Sequence, residues 1–184
     1  VAARKLKGFQ DTPPQVMSYR TKIINKIRLL AELAGFKSMD TPALEFSEVL
    51  LGSGAETDKQ LYRFKDNGDR DVALRFDLTE PFARFASENS GKLPLPWKRL
   101  QVGPVWRAEK PQKGRYREFY QCDLDIIGIN SYAADLEILM TLETILNTVS
   151  PVNFTIKIGN RKLLSGLIEM LSKTSEKEKT DKIL

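Results

Sequence analysis

The sequence contains no histidine, a single cysteine and no long apolar run. Without histidine, Ser-His and Cys-His nucleophile pairs and histidine general bases are excluded. With Cys122 alone, the chain can form neither an intrachain disulfide nor a Cys/His zinc site, which fits a reducing compartment. No stretch approaches the roughly 20 apolar residues of a membrane span, and the first residues lack the apolar core of a signal peptide. These absences predict a cytoplasmic protein with no membrane contact.

The composition is that of a globular chain with a mild positive charge. The 184 residues are enough for one domain, or for one domain and part of a second. Hydrophobic residues make up 41% of the chain, so a sizeable core can form. Lys and Arg number 29 against 24 Asp and Glu, a net charge of +5. This balance is compatible with nucleotide or nucleic-acid partners and requires neither.

Hairpins dominate the middle of the chain, between helical segments. Helical spacing predicts helices over 14–34, 79–87, 132–149 and 161–171, and Ser47 is expected to cap a short helix through Leu51. Extended segments are predicted over 36–45, 97–109, 117–128 and 154–158. Residues 61–76 read as a hairpin in which Asn67-Gly68 adopts the positive φ of the turn. The expected fold class is α+β, an antiparallel sheet flanked by helices.

The strands over 97–109 and 117–128 place one set of polar residues on a common face. Because strand side chains alternate between faces, this face presents Arg107, Glu109, Phe119, Gln121 and Asp125. A guanidinium group binds phosphate bidentately, an aromatic ring stacks on a base, and carboxylate and amide oxygens hold an ammonium group. A nucleotide together with an amino acid fits this set. Equally, the face could be an ordinary solvated sheet surface beside a basic loop, and spacing alone leaves both interpretations open.

Four stretches carry a resemblance to a known family. Residues 103–121 read GPVWRAEKPQKGRYREFYQ, a complete strand-loop-strand unit that closely resembles motif 2 of histidyl-tRNA synthetases, which are class II aminoacyl-tRNA synthetases. Residues 74–84 resemble the amino-acid-binding segment of this family, and residues 35–45 resemble motif 1, which builds the dimer interface in this class. Residues 7–11 resemble the start of the family's catalytic domain. The resemblance spans residues 5–171 approximately.

The resemblance implies activation of histidine by ATP to histidyl-adenylate, followed by transfer to tRNA(His). Arg107 matches the motif 2 arginine that holds the α-phosphate, Glu109 the acceptor for the adenine amino group, and Phe119 the ring stacked on adenine. Arg115 and Tyr116 match the part of the loop that meets ATP. Any Mg²⁺ is expected to accompany ATP, and no resident metal site is expected. A cytoplasmic homodimer formed through motif 1 is implied as well.

The same resemblance assigns a histidine site. Asp77, Thr79, Gln121 and Asp125 match positions that line it and provide acceptors for the α-ammonium group. Arg107 and Gln121 are the residues implied to be catalytic. Position 77 is Asp, where many bacterial members have Glu; a branch of the family carries the Asp-Leu-Thr form, so the role is expected to be the same.

The sequence also lacks segments that the family possesses. The 184 residues contain no counterpart of motif 3, whose arginine holds the γ-phosphate, of the second histidine-specific segment, or of the anticodon-binding domain. We therefore expect an incomplete catalytic core over residues 1–172, with residues 173–184 a solvated tail or the start of an insertion. This fragment is expected to be inactive or very weak by itself.

Two alternatives belong to other functional classes. The regulatory subunit of ATP phosphoribosyltransferase shares the fold and senses histidine, but its motif 2 loop is generally degraded, whereas residues 113–117 are intact here. A nucleic-acid-binding module would grip phosphates with the same hairpin and would show affinity that falls steeply with salt.

Overall fold

The structure, a computed structural model, describes residues 3–51 and 59–180, and side chains as far as residue 171. The described helices are α1 Pro14–Leu33, α2 Ser47–Leu50, α3 Thr79–Glu88, α4 Tyr132–Val149 and α5 Arg161–Thr180. The strands are β1 Lys37–Ser38, β2 Leu44–Phe46, β3 Tyr62–Lys65, β4 Asp71–Leu74, β5 Trp97–Trp106 and β6 Glu118–Ile127. The chain divides into two units, residues 1–150 and residues 151–184. The α+β class predicted from the sequence is confirmed.

A proline pair and a glycine set the limits of α1. Pro13 is the extended N-cap residue and Pro14 opens the helix, where a missing N–H costs nothing. At the other end Gly35 has φ +88, and its N–H donates to the Glu32 carbonyl at 3.0 Å. The Phe36 N–H donates to the Ala31 carbonyl at 2.9 Å, which completes a Schellman motif. The turn carries Phe36 straight into the core beside Ala31.

The strands of the first unit form two three-stranded sheets. The first sheet has the order β1-β5-β6, and the second has the order β2-β4-β3. All pairs are antiparallel, as the predicted fold class implies, except the two-residue pairing of β1 with β5, which is parallel. The Trp106 N–H donates to the Arg75 carbonyl at 3.0 Å and the Ala108 N–H to the Gln60 carbonyl at 2.8 Å. These bonds join the end of β5 to the second sheet.

The core covers one face of the β5–β6 hairpin and leaves the other face for polar residues. Ala31 of α1, Phe36, Leu100 of β5 and Ile145 of α4 are buried together there. Each large apolar side chain buried in this way contributes about 1.5–3 kcal/mol. A second cluster, Leu50, Leu61, Ala73 and Phe76, lies beneath the β3–β4 hairpin. This packing supports the β5–β6 hairpin on its apolar face, so the polar face has a rigid backbone.

Two local predictions in this unit were wrong. Ser47 does not cap α2: the N-cap is Phe46, and the Ser47 hydroxyl donates to Asp71 Oδ1 at 3.1 Å. In the β3–β4 hairpin the residue with positive φ is Asp69, at 59°, and not Asn67-Gly68. Asp66 Oδ1 accepts hydrogen bonds from the Gly68 N–H at 2.8 Å and the Arg70 N–H at 2.9 Å, so the aspartate side chain organises this turn.

In the second unit, a helix follows a segment without regular secondary structure. The strand predicted over 154–158 was wrong, because residues 154–158 adopt no strand in the structure. The helix predicted over 161–171 is present and continues to Thr180. The domain boundary at residue 172 stays a prediction. In the part of the chain that the structure describes, no helix is both long and apolar enough to cross a membrane.

Candidate functional site

The pairing of β5 with β6 determines which side chains share the polar face. Along this face the cross-strand partners are Val105 with Phe119, Gly103 with Gln121, Gln101 with Asp123, and Arg99 with Asp125. Beyond the Val105–Phe119 pair, the Arg107 N–H donates to the Arg117 carbonyl at 2.8 Å. The predicted common face is confirmed for Phe119, Gln121 and Asp125, whereas Arg107 and Glu109 lie beyond the end of β5 at Trp106. Phe119 and Asp125 are six residues apart along β6, which corresponds to about 20 Å of strand.

One end of this face is a cavity suited to a nucleotide. The cavity measures about 270 Å³, and it is lined by Arg107, Glu109, Gly114, Arg115, Tyr116 and Phe119. Arg107 is fixed at its floor, because its Nε–H donates to the Phe76 carbonyl at 3.0 Å. The guanidinium carbon lies 5.1 Å from the centre of the Phe119 ring. All five residues predicted to bind ATP thus line a single cavity.

The loop over this cavity is charged and exposed. Arg115 Nη1 lies 3.2 Å from Glu109 Oε2, and the Arg115 side chain is 66% exposed. Because Arg115 is largely exposed, the pair contributes less than about 1 kcal/mol, so Arg115 can turn to a ligand at low cost. Gly114, with φ +78, allows the tight turn that brings Arg115 back over the cavity.

Arg117 ties this loop to the N-terminal segment. Its backbone N–H donates to the Gly8 carbonyl at 2.9 Å, and its Nη1 donates to the Lys7 carbonyl at 3.3 Å. Its Nε–H donates to the Glu109 carbonyl at 3.0 Å. A Cβ on Gly8 would lie 2.9 Å from the Arg117 side chain, so Gly8 permits a close approach here. We call residues 7 and 8 with Arg117 the N-terminal clasp.

The other end of the face is acidic. Asp77 precedes α3, and its Oδ1 accepts from the Glu80 N–H at 3.2 Å. Burial raises the pKa of the Asp77 carboxyl above its ordinary value, and the nearby Asp123 carboxylate adds to the rise. Thr79 is the first residue of α3 and is exposed. An ammonium group at this end would find acceptors already oriented by the start of the helix.

Gln121 lies between the acidic end and the cavity. Its Nε2 donates to Asp123 Oδ1 at 3.1 Å and to Asp123 Oδ2 at 3.2 Å. Its Oε1 is buried and has no hydrogen-bond partner in the part of the chain that the structure describes. The amide oxygen of Gln121 is therefore an acceptor without a donor among the described residues.

Asp125 is paired with a buried arginine. Arg99 Nε lies 3.2 Å from Asp125 Oδ2, without the alignment of a hydrogen bond, and Arg99 is fully buried. Arg99 Nη2 donates to the Leu78 carbonyl at 2.8 Å, and its guanidinium lies 4.2 Å from the centre of the Phe82 ring. Burial lowers the pKa of Arg99 and raises the pKa of Asp125, so the pair is costly to desolvate.

A second buried arginine supports the centre of the face. Arg75 donates from Nε to the Pro104 carbonyl at 3.0 Å and from Nη1 to Asp40 Oδ1 at 3.0 Å. Gln101 Nε2 also donates to Asp40, at 2.8 Å. A Cβ on Gly103 would meet Arg75 Nη2 at 2.7 Å, so glycine leaves the room that this guanidinium occupies.

Sequence reasoning assigned no role to Asp123, Arg99 or Arg75. Strand alternation places Asp123 and Arg99 on the face of Gln121, but it identifies neither their partners nor their roles. The partners of Arg75 lie 29 to 35 residues away, and no local pattern predicts such contacts.

Comparison with known proteins identifies the family. Residues 8–184 match the family model described as Histidyl-tRNA synthetase. The chain belongs to the histidyl-tRNA synthetase family. A similar solved structure is that of histidyl-tRNA synthetase from Nostoc sp. PCC 7120, with a TM-score of 0.79 and 31% identity over 91% of this chain and 39% of that chain. The fold is therefore that of a class II synthetase catalytic domain.

Curated members of the histidyl-tRNA synthetase family are similar over nearly the whole chain. The histidine–tRNA ligase of Rhodopirellula baltica is 49% identical over 172 residues, which cover 93% of this chain and 39% of that protein. The histidine–tRNA ligase of Treponema denticola is 44% identical over 185 residues, 100% of this chain and 41% of that protein. The chain thus spans about two fifths of the length of these relatives. The regulatory-subunit alternative is not favoured.

Proposed function

We propose that this chain forms the histidine- and ATP-binding face of a histidine–tRNA ligase. The observation that carries the proposal is the single sheet face with two different ends. Arg107 and Phe119 line a cavity at one end, and Asp77, Gln121 and Asp125 supply acceptors at the other. ATP and histidine placed on this face would meet near its centre.

The proposed first step joins the two substrates. A carboxylate oxygen of histidine forms a bond to the α-phosphorus of ATP, and the bond from that phosphorus to the bridging oxygen breaks, releasing pyrophosphate. This step transfers no proton, so the lack of histidine side chains in the chain is no obstacle. In the second step a hydroxyl oxygen at the 3′ end of tRNA(His) bonds to the histidyl carbonyl carbon, the bond from that carbon to the phosphate oxygen breaks, and AMP leaves; the hydroxyl proton passes to the departing phosphate or to water.

Arg107 is proposed to stabilise the transition state of the first step. Charge on the α-phosphate oxygens grows as the new bond forms, and a guanidinium fixed beforehand needs no reorganisation to meet it. The hydrogen bond to the Phe76 carbonyl supports this, because it holds the guanidinium in one orientation. Gln121 is proposed to act beside it by holding histidine in register. Much of the rate gain would come from this orientation of the two substrates.

The acidic end is proposed to hold the α-ammonium group of histidine. Asp77 and Asp125 are both partly desolvated, and burial raises the pKa of each. A cation that enters restores part of the electrostatic stabilisation lost on burial, which favours binding of an ammonium group over a neutral one. Thr79, exposed at the start of α3, is proposed to complete this site.

The remaining partners are proposals of the same kind. Mg²⁺ would arrive with ATP, and the exposed basic side chains of Lys110 and Lys113 would meet tRNA phosphates. A homodimer through motif 1 is supported by apolar side chains exposed on α1 and β2, such as Leu33 at 76% and Phe46 at 50%. We also propose a cytoplasmic location.

We propose that the 184 residues alone bind histidine and ATP but form histidyl-adenylate very slowly or not at all. The matched relatives are about two and a half times as long, and the γ-phosphate arginine implied by the resemblance has no counterpart in these residues. An ATP–pyrophosphate exchange assay tests this. Exchange with histidine at the rate of a full-length ligase would contradict it.

Calorimetry with separate ligands tests the site. L-histidine and ATP are each titrated into the unaltered chain, into Arg107→Ala and into Lys113→Ala. Lys113 lies on the same loop, is exposed and is outside the set of residues that lines the cavity, so it is the matched control for charge. We expect Arg107→Ala to weaken ATP binding at least tenfold with histidine binding within twofold, and Lys113→Ala to leave both within about threefold. Failure of the unaltered chain to bind histidine would overturn the proposal.

A further inference from the structure

The amide of Gln121 is hydrogen-bonded through its nitrogen, whereas its oxygen has no donor among the described residues. Its Nε2 lies 3.1 Å and 3.2 Å from the two carboxylate oxygens of Asp123. Its Oε1 is buried and makes no hydrogen bond within the described part of the chain. A buried carbonyl oxygen without a donor is costly, so a ligand N–H that reaches it gains more than it would in water.

The orientation of the Gln121 amide follows from the hydrogen-bonding capacity of Asp123. A carboxylate has no hydrogen to donate, so only the amide nitrogen of Gln121 can face Asp123. The amide oxygen must then point away from Asp123. Because both residues belong to β6, two positions apart and on one face, strand geometry keeps this contact in place.

We infer that Asp123 is a positioning residue: it orients Gln121 so that Oε1, an acceptor, meets the α-ammonium group of the bound amino acid. The inference rests on the proposed histidine site and adds to it a residue that does not touch the ligand. With the opposite amide orientation, Gln121 would present its NH₂ group to a cation, and the contact would be repulsive.

The surroundings of Asp123 agree with an indirect role. The cross-strand partner of Asp123 is Gln101, which is buried and donates to Asp40 and Thr41. The guanidinium of Arg99 is directed to Asp125 and the Leu78 carbonyl. The contact that the structure shows for the Asp123 carboxylate is therefore the one with the Gln121 amide.

Two ligands separate an effect on the ammonium contact from a general effect. L-histidine carries imidazole, carboxylate and α-ammonium; 3-(imidazol-4-yl)propionate lacks only the ammonium group. Both are titrated by calorimetry into the unaltered chain and into Asp123→Asn, whose amide can accept or donate and so no longer selects the orientation of Gln121. We expect Asp123→Asn to weaken histidine binding about 10- to 100-fold, the range for one hydrogen bond to a charged group. Binding of the propionate should stay within about twofold.

A second variant moves the charge instead of removing it. In Gln121→Glu/Asp123→Asn the glutamate presents an oxygen whichever way it turns, and the asparagine can donate to it. The total charge equals that of the unaltered chain, so we expect histidine affinity to recover to within about fivefold. Asp69→Asn, a charge loss at a side chain that is 91% exposed in the β3–β4 turn, is the matched control and should leave both ligands unaffected.

The outcomes distinguish this inference from the proposed function. If the unaltered chain fails to bind histidine, the proposed histidine site and this inference both fall. If it binds histidine and Asp123→Asn binds it equally well, this inference alone is wrong. The positioning role is wrong as well if Asp123→Asn weakens the propionate as much as histidine, or if the charge-moving variant shows no recovery.

Discussion

Replacing Arg99 with methionine should destabilise the first unit by about 3 kcal/mol. Removing one partner of a buried ion pair costs about 3–5 kcal/mol, because the remaining charge is left unpaired. Asp125 retains 28% exposure, so water can reach it and the lower end of that range applies. The Leu78 carbonyl also loses the donor that lies 2.8 Å away. Methionine keeps an unbranched chain of similar length against Phe82, which limits the effect of lost packing.

The assay is urea unfolding followed by tryptophan fluorescence. The chain has two tryptophans, Trp97 and Trp106, and both belong to β5. The Trp97 ring centre lies 5.7 Å from that of Phe82, next to the guanidinium that is removed. A typical domain has about 5–15 kcal/mol of stability, so a loss of 3 kcal/mol moves the urea midpoint well beyond error.

A double substitution tests whether Arg99 and Asp125 act as an ion pair. Since burial disfavours the charge on both partners, Arg99→Met/Asp125→Asn should be no less stable than Arg99→Met alone. Additive losses in the double variant would show that the two groups do not act as a pair. A loss below about 1 kcal/mol in Arg99→Met would refute the reasoning more directly.

Three further predictions concern single positions. Asp77→Asn should raise the urea midpoint at pH 7, because burial raises the folded-state pKa of Asp77 and its charge therefore destabilises the fold. The gain should shrink as the pH falls through the folded-state pKa and disappear below the unfolded-state pKa of 3.8, so an equal gain at pH 3 would contradict this. Gly103→Ala should cost about 1–3 kcal/mol in urea unfolding, because its Cβ would lie 2.7 Å from Arg75 Nη2, whereas Gly159→Ala, with nothing within 4 Å, should cost under 1 kcal/mol. Arg107→Lys should weaken ATP binding about tenfold in calorimetry, because lysine cannot make the bidentate phosphate contact; unchanged affinity would remove Arg107 from the ATP site.

The hairpin that carries the site could be predicted from the sequence because its information is local. Ten-residue strands with strict alternation fix the face of every side chain, so Arg107, Phe119, Gln121 and Asp125 fell on the face where the structure places them. Their binding roles remain predictions. A solvated hairpin would show the same alternation, so alternation alone could not predict those roles. The resemblance to motif 2 supplied them.

What the sequence could not show depends on contacts between distant residues. The parallel pairing of β1 with β5 joins Lys37 to Arg99. A strand of two residues is too short to show an alternating pattern, so the sequence could not predict this pairing. Residues 154–158 have high strand propensity, yet strand formation depends on a partner strand. The turn at Asp69 was misassigned because the Asp66 side chain, and not the Asn-Gly pair, determines its geometry.

The N-terminal clasp couples residues 7 and 8 to the loop over the cavity. Two carbonyl groups near the start of the chain restrain Arg117, and one of these bonds bridges 110 positions of sequence. Cleavage just before Gly8 would therefore loosen the loop over the cavity, although every residue that lines the cavity would remain intact. Conversely, occupancy of the cavity should slow exchange of the Arg117 backbone amide hydrogen, because that hydrogen is donated to the Gly8 carbonyl at 2.9 Å.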